Sequence, residues 1–118
     1  MKDKFKDQLP TITFKKENVL KIEGKSYYVD PRSVYDKLLK EIEEYKTQEK
    51  QLEVIIDLDI FNTPTAKKLL EVFRSLESEN AKIVWVYEED DEDIHTAGQD
   101  YESMVKLPFE FRIKKIKE

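Results

Sequence analysis

Hydrophobic residues along this chain follow two periods, and each switch between them marks a boundary between elements. Thr11-Ile12-Thr13-Phe14 and Val19-Leu20-Lys21-Ile22 are short runs of β-forming residues separated by the polar Lys16-Glu17-Asn18, which predicts an opening hairpin that Gly24 ends. After Tyr27, Tyr28 and the punctuating Asp30-Pro31, the residues Val34, Leu38, Leu39, Ile42 and Tyr45 recur at helical spacing. With Pro31 and Ser33 near its start, this predicts a first helix from about Arg32 to Thr47. Leu52, Val54, Ile56, Leu58 and Ile60 then alternate with Glu53, Ile55, Asp57 and Asp59. A period of two predicts a strand with one strongly apolar face and with Asp57 and Asp59 toward its C-terminal end.

A second helix is predicted after Phe61-Asn62-Thr63-Pro64, with Ala66, Leu69, Leu70, Phe73 and Leu76 on one side and Lys67, Lys68, Glu71 and Arg74 on the other, stopping near Asn80. Ile83-Val84-Trp85-Val86-Tyr87 is an apolar run of strand length that fits a central strand covered on both faces. An acidic stretch, Glu88 to Asp93, leads to a third helix with Ile94, Ala97, Tyr101 and Met104 in register. Pro108-Phe109-Glu110-Phe111-Arg112-Ile113 closes as an alternating strand. The order ββαβαβαβ implies an α/β fold: a mixed sheet with an N-terminal hairpin, right-handed crossovers between parallel neighbours, and three packed helices.

At 118 residues the chain has the length of one domain, with residues 1–9 expected as a flexible N-terminal segment. Apolar residues make up 39% and charged residues 40%, which describes a folded core under a heavily charged surface. The net charge of −5 lacks the basic excess that nucleic-acid binding requires. Without cysteine there is no disulfide, no thiolate chemistry and no cysteine zinc site. With two glycines there is no glycine-rich phosphate loop. The start Met1-Lys2-Asp3-Lys4-Phe5-Lys6-Asp7 is charged, and no apolar run approaches a membrane span, so the cytoplasm is the expected location. The sole histidine, His95, sits among acids and is expected to be a solvated surface residue.

Chemistry is most plausible at Asn62-Thr63-Pro64-Thr65, where a strand ends and a helix begins, the sheet edge at which ligands and modifications usually act. Thr63 is the natural N-cap, with Pro64 at the first helical position and Thr65 at the second. The plain meaning of these residues alone is a well-made helix start.

A wider set of residues resembles the SiaC family of bacterial regulatory phosphoproteins, over Gly24 to Phe111. Ser26-Tyr27-Tyr28 opens the likeness. Leu58-Asp59-Ile60-Phe61-Asn62-Thr63 before an amphipathic helix resembles that family's strand followed by Asn-Thr-Ser-Ser. Trp85-Val86-Tyr87 with Asp90, Asp91 and Gly98 is similar to its later block, and Leu107-Pro108-Phe109 completes it. The resemblance implies a fold like the STAS domain of anti-sigma factor antagonists and a threonine phosphorylated by a dedicated kinase and released by a PPM-type phosphatase. Carried over, the acceptor is Thr63; Pro64 and Thr65 replace the family's two serines, which makes Thr65 the alternative acceptor. In the family the unphosphorylated form binds and activates a diguanylate cyclase, so the chain is expected to transmit kinase and phosphatase balance to cyclic di-GMP production without being an enzyme. Asn62, Pro64, Thr65, Lys67 and Lys68 are the expected partner-binding residues. No cofactor, nucleic acid or membrane partner is implied.

The run Glu88-Glu89-Asp90-Asp91-Glu92-Asp93 lacks the spaced acids and turn glycine of an EF-hand and is expected to be a solvated cap on the third helix. Trp85 and Tyr87 are expected in the sheet core. One enzymatic alternative stands beside the adaptor: Asp57-Leu58-Asp59 resembles the Asp-x-Asp of haloacid-dehalogenase-like phosphatases, with nucleophile and general acid beside magnesium, and the acids after Tyr87 would complete the metal site. Phe61 stands where that motif wants a small polar or branched residue.

Overall fold

The computed structural model describes residues 10–16, 18–26, 32–45 and 50–114. The segment 1–9, Glu17, Tyr27, Tyr28, Asp30, Pro31 and Thr47 lie outside the described residues, as do the side chains of Ser33, Val34 and Tyr45.

The elements run β1 (Thr11–Lys16), β2 (Val19–Ser26), α1 (Arg32–Tyr45), β3 (Leu52–Phe61), α2 (Thr63–Ser75), β4 (Ala81–Glu88), α3 (Glu92–Met104) and β5 (Phe109–Lys114). They form the expected α/β fold, a five-stranded sheet in the order β1-β2-β3-β4-β5 with β1 antiparallel to β2 and the later pairs parallel. Each parallel strand is added on the same side of the one before it. Right-handed crossovers therefore place all three helices on one face of the sheet.

Alternation sorts the strands accordingly. Leu20, Ile22, Val54, Ile56, Leu58, Ile83 and Trp85 are buried beneath the helices together with Leu38, Leu69, Val72 and Phe73. Removal of these side chains from water is the main stabilising term. The opposite face carries charged residues cross-laced between strands. Lys114 of β5 reaches across β4 to Asp57 (2.7 Å) and Asp59 (3.0 Å) of β3, and Lys82 of β4 lies 3.8 Å from Glu53 and 3.1 Å from Glu110. Burial alone would lower the Lys114 ammonium, but hydrogen bonds to Asp57 and Asp59 outweigh it and hold the group above the ordinary lysine range. Val84 and Val86 are buried on this face, and long aliphatic stems that cross the sheet cover such positions while keeping their charged ends wet. The expected coverage of β4 on both faces is thus met by helices on one side and ion-pair stems on the other.

Three expectations about β2, β3 and α2 need correction. Gly24 does not end β2: it takes φ +107° inside the strand, where the β2–β3 register slips, and β2 continues to Ser26. The slip gives β3 one extra residue, since Gly24 pairs with Leu58 but Lys25 with Ile60. A bulge of this kind re-aims the residues that follow it. Ile60 consequently leaves the apolar face and is 44% exposed, while Phe61 turns inward to meet Trp85 edge-on at 6.2 Å. Helix α2 ends earlier than Asn80, at Ser75, with Leu76 as its C-cap.

Trp85 and α3 fit each other closely. The indole Nε1 donates to the Ile94 carbonyl at 2.8 Å, and a Cβ at Gly98 would stand 2.5 Å from the ring. Only glycine lets α3 approach β4 this closely. Met104, expected on the buried stripe of α3, is 45% exposed. The stripe ends at Tyr101, whose ring packs on Phe73 at 5.0 Å and whose hydroxyl donates to the Ala66 carbonyl of α2 at 2.7 Å. Burial pushes the Tyr101 hydroxyl well above its ordinary ionisation, with the charge of Tyr35 adding to the effect. Among the described residues no helix is long and apolar enough to cross a membrane.

Candidate functional site

The first turn of α2 is built one residue out of step with the sequence expectation. Asn62, not Thr63, is the N-cap: its backbone is extended (φ −104°, ψ 178°) and its side chain accepts from the Thr65 amide at 3.3 Å. Thr63, Pro64 and Thr65 therefore occupy the first, second and third helical positions. Asparagine ranks with the strongest caps, and proline is tolerated at either early position because those amides have no intrahelical partner.

This shift puts the two threonines in opposite environments. Thr63 is exposed at the surface. Thr65 has no exposed surface, and its Oγ1 donates to the Ser26 carbonyl at 3.0 Å. The Ser26 hydroxyl, also fully buried, lies 2.9 Å from Thr65 Oγ1 and 2.9 Å from the Tyr35 hydroxyl. Each hydroxyl has one proton, so the order is determined: with Thr65 donating to the carbonyl, Ser26 donates to Thr65 and Tyr35 donates to Ser26. Burial pushes the Tyr35 hydroxyl up to about 12. The chain of hydroxyls ties the end of β2, α1 and α2 together, and the Asn62 amide adds a 3.3 Å bond to the same Ser26 carbonyl.

The expected partner-binding residues divide as well. Asn62 and Pro64 are half-buried at the rim, and Lys67 is exposed one turn after Thr63. Thr65 faces inward and presents no surface to a partner. Lys68 turns toward α1, where its ammonium meets Asp36 at 2.8 Å and Glu71 at 3.1 Å. The bond to Asp36 raises its pKa most, with Glu71 assisting against desolvation.

A groove of about 280 Å³ that the sequence did not reveal opens between α2 and α3. Phe61, Ala66, Leu70, Ala97, Tyr101 and Met104 line it, with Lys67 on one rim and Asp100 on the other. The available signal was Met104, an apolar residue at the C-terminal end of α3.

Asp57 and Asp59 do lie off the core, as their alternation requires, but they converge on Lys114. Among the described residues no group of three or more histidine or acidic side chains is placed to hold a metal ion. In the acidic run, Asp91 is the N-cap of α3 and accepts from the Ile94 amide at 3.1 Å, with Glu92 and Asp93 in the first turn. That arrangement is the expected cap. His95 departs from expectation: it is half-buried, stacked on Tyr87 at 4.3 Å with an interplanar angle of 2°, and met edge-on by Phe111 at 5.7 Å. Its place one turn after the cap brings it over the end of β4, which sequence spacing alone did not reveal.

The model of the SiaC family of regulatory phosphoproteins matches residues 4–114. No curated protein matches the chain in sequence. Among solved structures, the chain is similar to one in the complex of the diguanylate cyclase SiaD with its activator SiaC from Pseudomonas aeruginosa, with TM-score 0.83 and 17% identity over 92% of this chain and 95% of that one. It is similar also to apo-SiaC from Pseudomonas aeruginosa, with TM-score 0.79 and 18% identity over 91% of this chain and 93% of the other. Structural likeness at this identity establishes the shared fold.

Proposed function

Since this chain belongs to the SiaC family of regulatory phosphoproteins, we propose that it is a non-enzymatic signalling adaptor switched by phosphorylation of Thr63, whose unmodified form binds and activates a diguanylate cyclase. A protein kinase adds the phosphate and a PPM-type phosphatase removes it. The observation that carries the reading is the contrast in the first turn of α2, where Thr63 is open to an enzyme and Thr65 is sealed into a hydroxyl chain. The cyclase is suggested by the complex in which the similar Pseudomonas aeruginosa protein is the activator.

Physical chemistry supports a surface switch over an unfolding switch. A phosphothreonine brings roughly −1.5 to −2 charges to the helix N-terminus, where backbone amides and the helix dipole favour an anion. A partner packed there must then bury or displace that charge. An uncompensated interface charge costs about 2–5 kcal/mol, enough to release a partner of ordinary affinity.

The test is site mapping joined to an activity readout. The chain is incubated with its kinase and ATP, the modified residue is located by mass spectrometry, and cyclase output is measured with unmodified, phosphorylated and Thr63→Ala chains. Modification at Thr63, with Thr63→Ala activating but unresponsive to the kinase, is the expected result. Modification confined to another residue, or activation by the phosphorylated form, contradicts the proposal.

A further inference from the structure

The two open edges of the sheet are built differently. Among the described residues β1 pairs only with β2, and its register slips between Phe14 and Lys16, whereas β5 follows β4 from Phe109 to Lys114 without a slip. A bulged edge resists a further strand and a regular one accepts it. The Pro108 carbonyl accepts from the Ile83 amide at 2.9 Å. In a parallel ladder alternate residues face the same neighbour, so the backbone groups of Pro108, Glu110, Arg112 and Lys114 face β4, and Phe109, Phe111 and Ile113 turn their amides and carbonyls to the open edge. Side chains alternate with them. Phe109 and Phe111 lie on the helix side, against Phe73 at 5.7 Å and His95 at 5.7 Å, and Ile113 follows them at 51% exposure. Glu110, Arg112 and Lys114 lie on the opposite face among the ion pairs.

We propose that β5 pairs with β5 of a second copy of this chain, antiparallel and centred on Phe111, so that two sheets join into one across a two-fold axis. This pairing sets Phe111 opposite Phe111, Phe109 opposite Ile113 and Glu110 opposite Arg112. The residues whose amides and carbonyls face the edge then meet each other and exchange hydrogen bonds. On the helix side the exposed Ile113 is covered by the copy's Phe109, and on the other face each carboxylate meets a guanidinium. Charge selects this register. A slip of one residue sets outward amides against residues whose backbone β4 already uses, and a slip of two in either direction sets Glu110 opposite Glu110 or Arg112 opposite Arg112. An edge protected by charges of one sign repels a copy in every register, but β5 carries both signs in an order that its own reversal matches. Lys114, the remaining charge, is turned to Asp57 and Asp59. The axis stands perpendicular to the sheet, so the helices of both copies lie on one face, and the closed pair leaves only the bulged β1 edges open. The inference stands independently of the role of Thr63.

The experiment is sedimentation velocity of the purified chain from about 1 µM to about 500 µM. A strand edge and its flanks form a small interface, so the parent is expected to pass from monomer to dimer at about 10–100 µM and to go no further. Arg112→Glu sets carboxylates opposite carboxylates, and Glu110→Lys sets cations opposite cations. Each is expected to weaken the dimer by at least about 10-fold. An equimolar mixture of the two is expected to associate at the parent's strength, because in the mixed pair every carboxylate again faces a cation, an outcome that misfolded variants would not give. Ile113→Pro removes an amide that makes no bond to β4, so the fold is retained, and the dimer is expected to weaken by at least about 10-fold. Phe14→Lys, on the β1 edge at a residue 41% exposed, should associate like the parent. A parent that stays monomeric over the whole range, a dimer that Arg112→Glu or Ile113→Pro leaves unchanged, or a mixture that fails to associate overturns the proposal. So do oligomers that keep growing with concentration, as pairing of β5 with β1 would give.

Discussion

The first turn of α2 has an inward and an outward side, and the two are built on different principles. Inward, Thr65, Ser26 and Tyr35 form a closed sequence of hydrogen bonds without exposed surface, and no buried side-chain polar atom among the described residues lacks a partner. Outward, Thr63 and Lys67 face solvent beside an apolar groove. A satisfied buried network rigidifies its surroundings, because losing one member leaves the others unpaired in a low-dielectric interior. The outward side can accept a charge because the inward side fixes the helix beneath it. Two threonines separated by one residue thus have opposite surroundings, one sealed into the hydrogen-bonded turn and the other exposed.

The sharpest way to break this contrast is to remove the inward hydroxyl. Thr65→Val keeps the shape of the side chain but leaves the Ser26 hydroxyl proton without its acceptor. The expected loss is about 2–3 kcal/mol of stability, read from urea unfolding. A loss below about 0.5 kcal/mol would mean that the hydroxyl chain does not hold the turn.

Alkaline titration probes the same side at Tyr35. Its hydroxyl ionises at 10.0 when unperturbed and at about 12 in the fold, so the unfolded chain releases its proton first. The contribution of this group is therefore complete below pH 10 and is lost as pH rises toward about 12. Tyr101, also raised, acts in the same direction. Stability is expected to fall by about 2 kcal/mol over that window on account of Tyr35, and the fall should flatten in Tyr35→Phe. An equally steep fall in Tyr35→Phe would place the effect elsewhere.

Outward and on the open sheet face, effects should be smaller. Lys114→Met removes partly exposed ion pairs with Asp57 and Asp59, and such pairs contribute no more than about 1 kcal/mol. Thr63→Val should change stability by less than about 0.5 kcal/mol while abolishing phosphorylation. Thermal melts of both variants check this; a large loss in Thr63→Val would erase the distinction between the two sides.

Periodicity made the elements legible, since Leu52 to Leu58 alternate and α1, α2 and α3 each repeat at helical spacing. Residue roles near the bulge were less legible. One extra residue in β3 reverses the faces of Ile60 and Phe61, and nothing in the local pattern announces a register slip set by pairing with Gly24. The N-cap was displaced by one because Asn62 and Thr63 are both good caps, and only backbone geometry chooses between them. Burial of Thr65 depends on Ser26 and Tyr35, which lie 39 and 30 positions earlier in the chain, so no window along the sequence contains it. His95 and Met104 owe their surroundings to the way α3 crosses β4 over Gly98. The proposed acceptor, Thr63, is legible only through family likeness, because an exposed threonine at a helix start has no chemical signature of its own.

The central claim is that phosphate on Thr63 remodels a surface and leaves the fold intact, and one preparation tests it. Stoichiometrically phosphorylated chain is compared with unmodified chain in thermal melting and in titration against a purified diguanylate cyclase. The account predicts melting temperatures within about 5 °C of each other, as a stability change near 1 kcal/mol gives for a domain of this size. It predicts at the same time a loss of affinity of about 30-fold or more. Phosphorylated chain that melts far earlier, or that binds the cyclase as tightly as the unmodified chain, would contradict it.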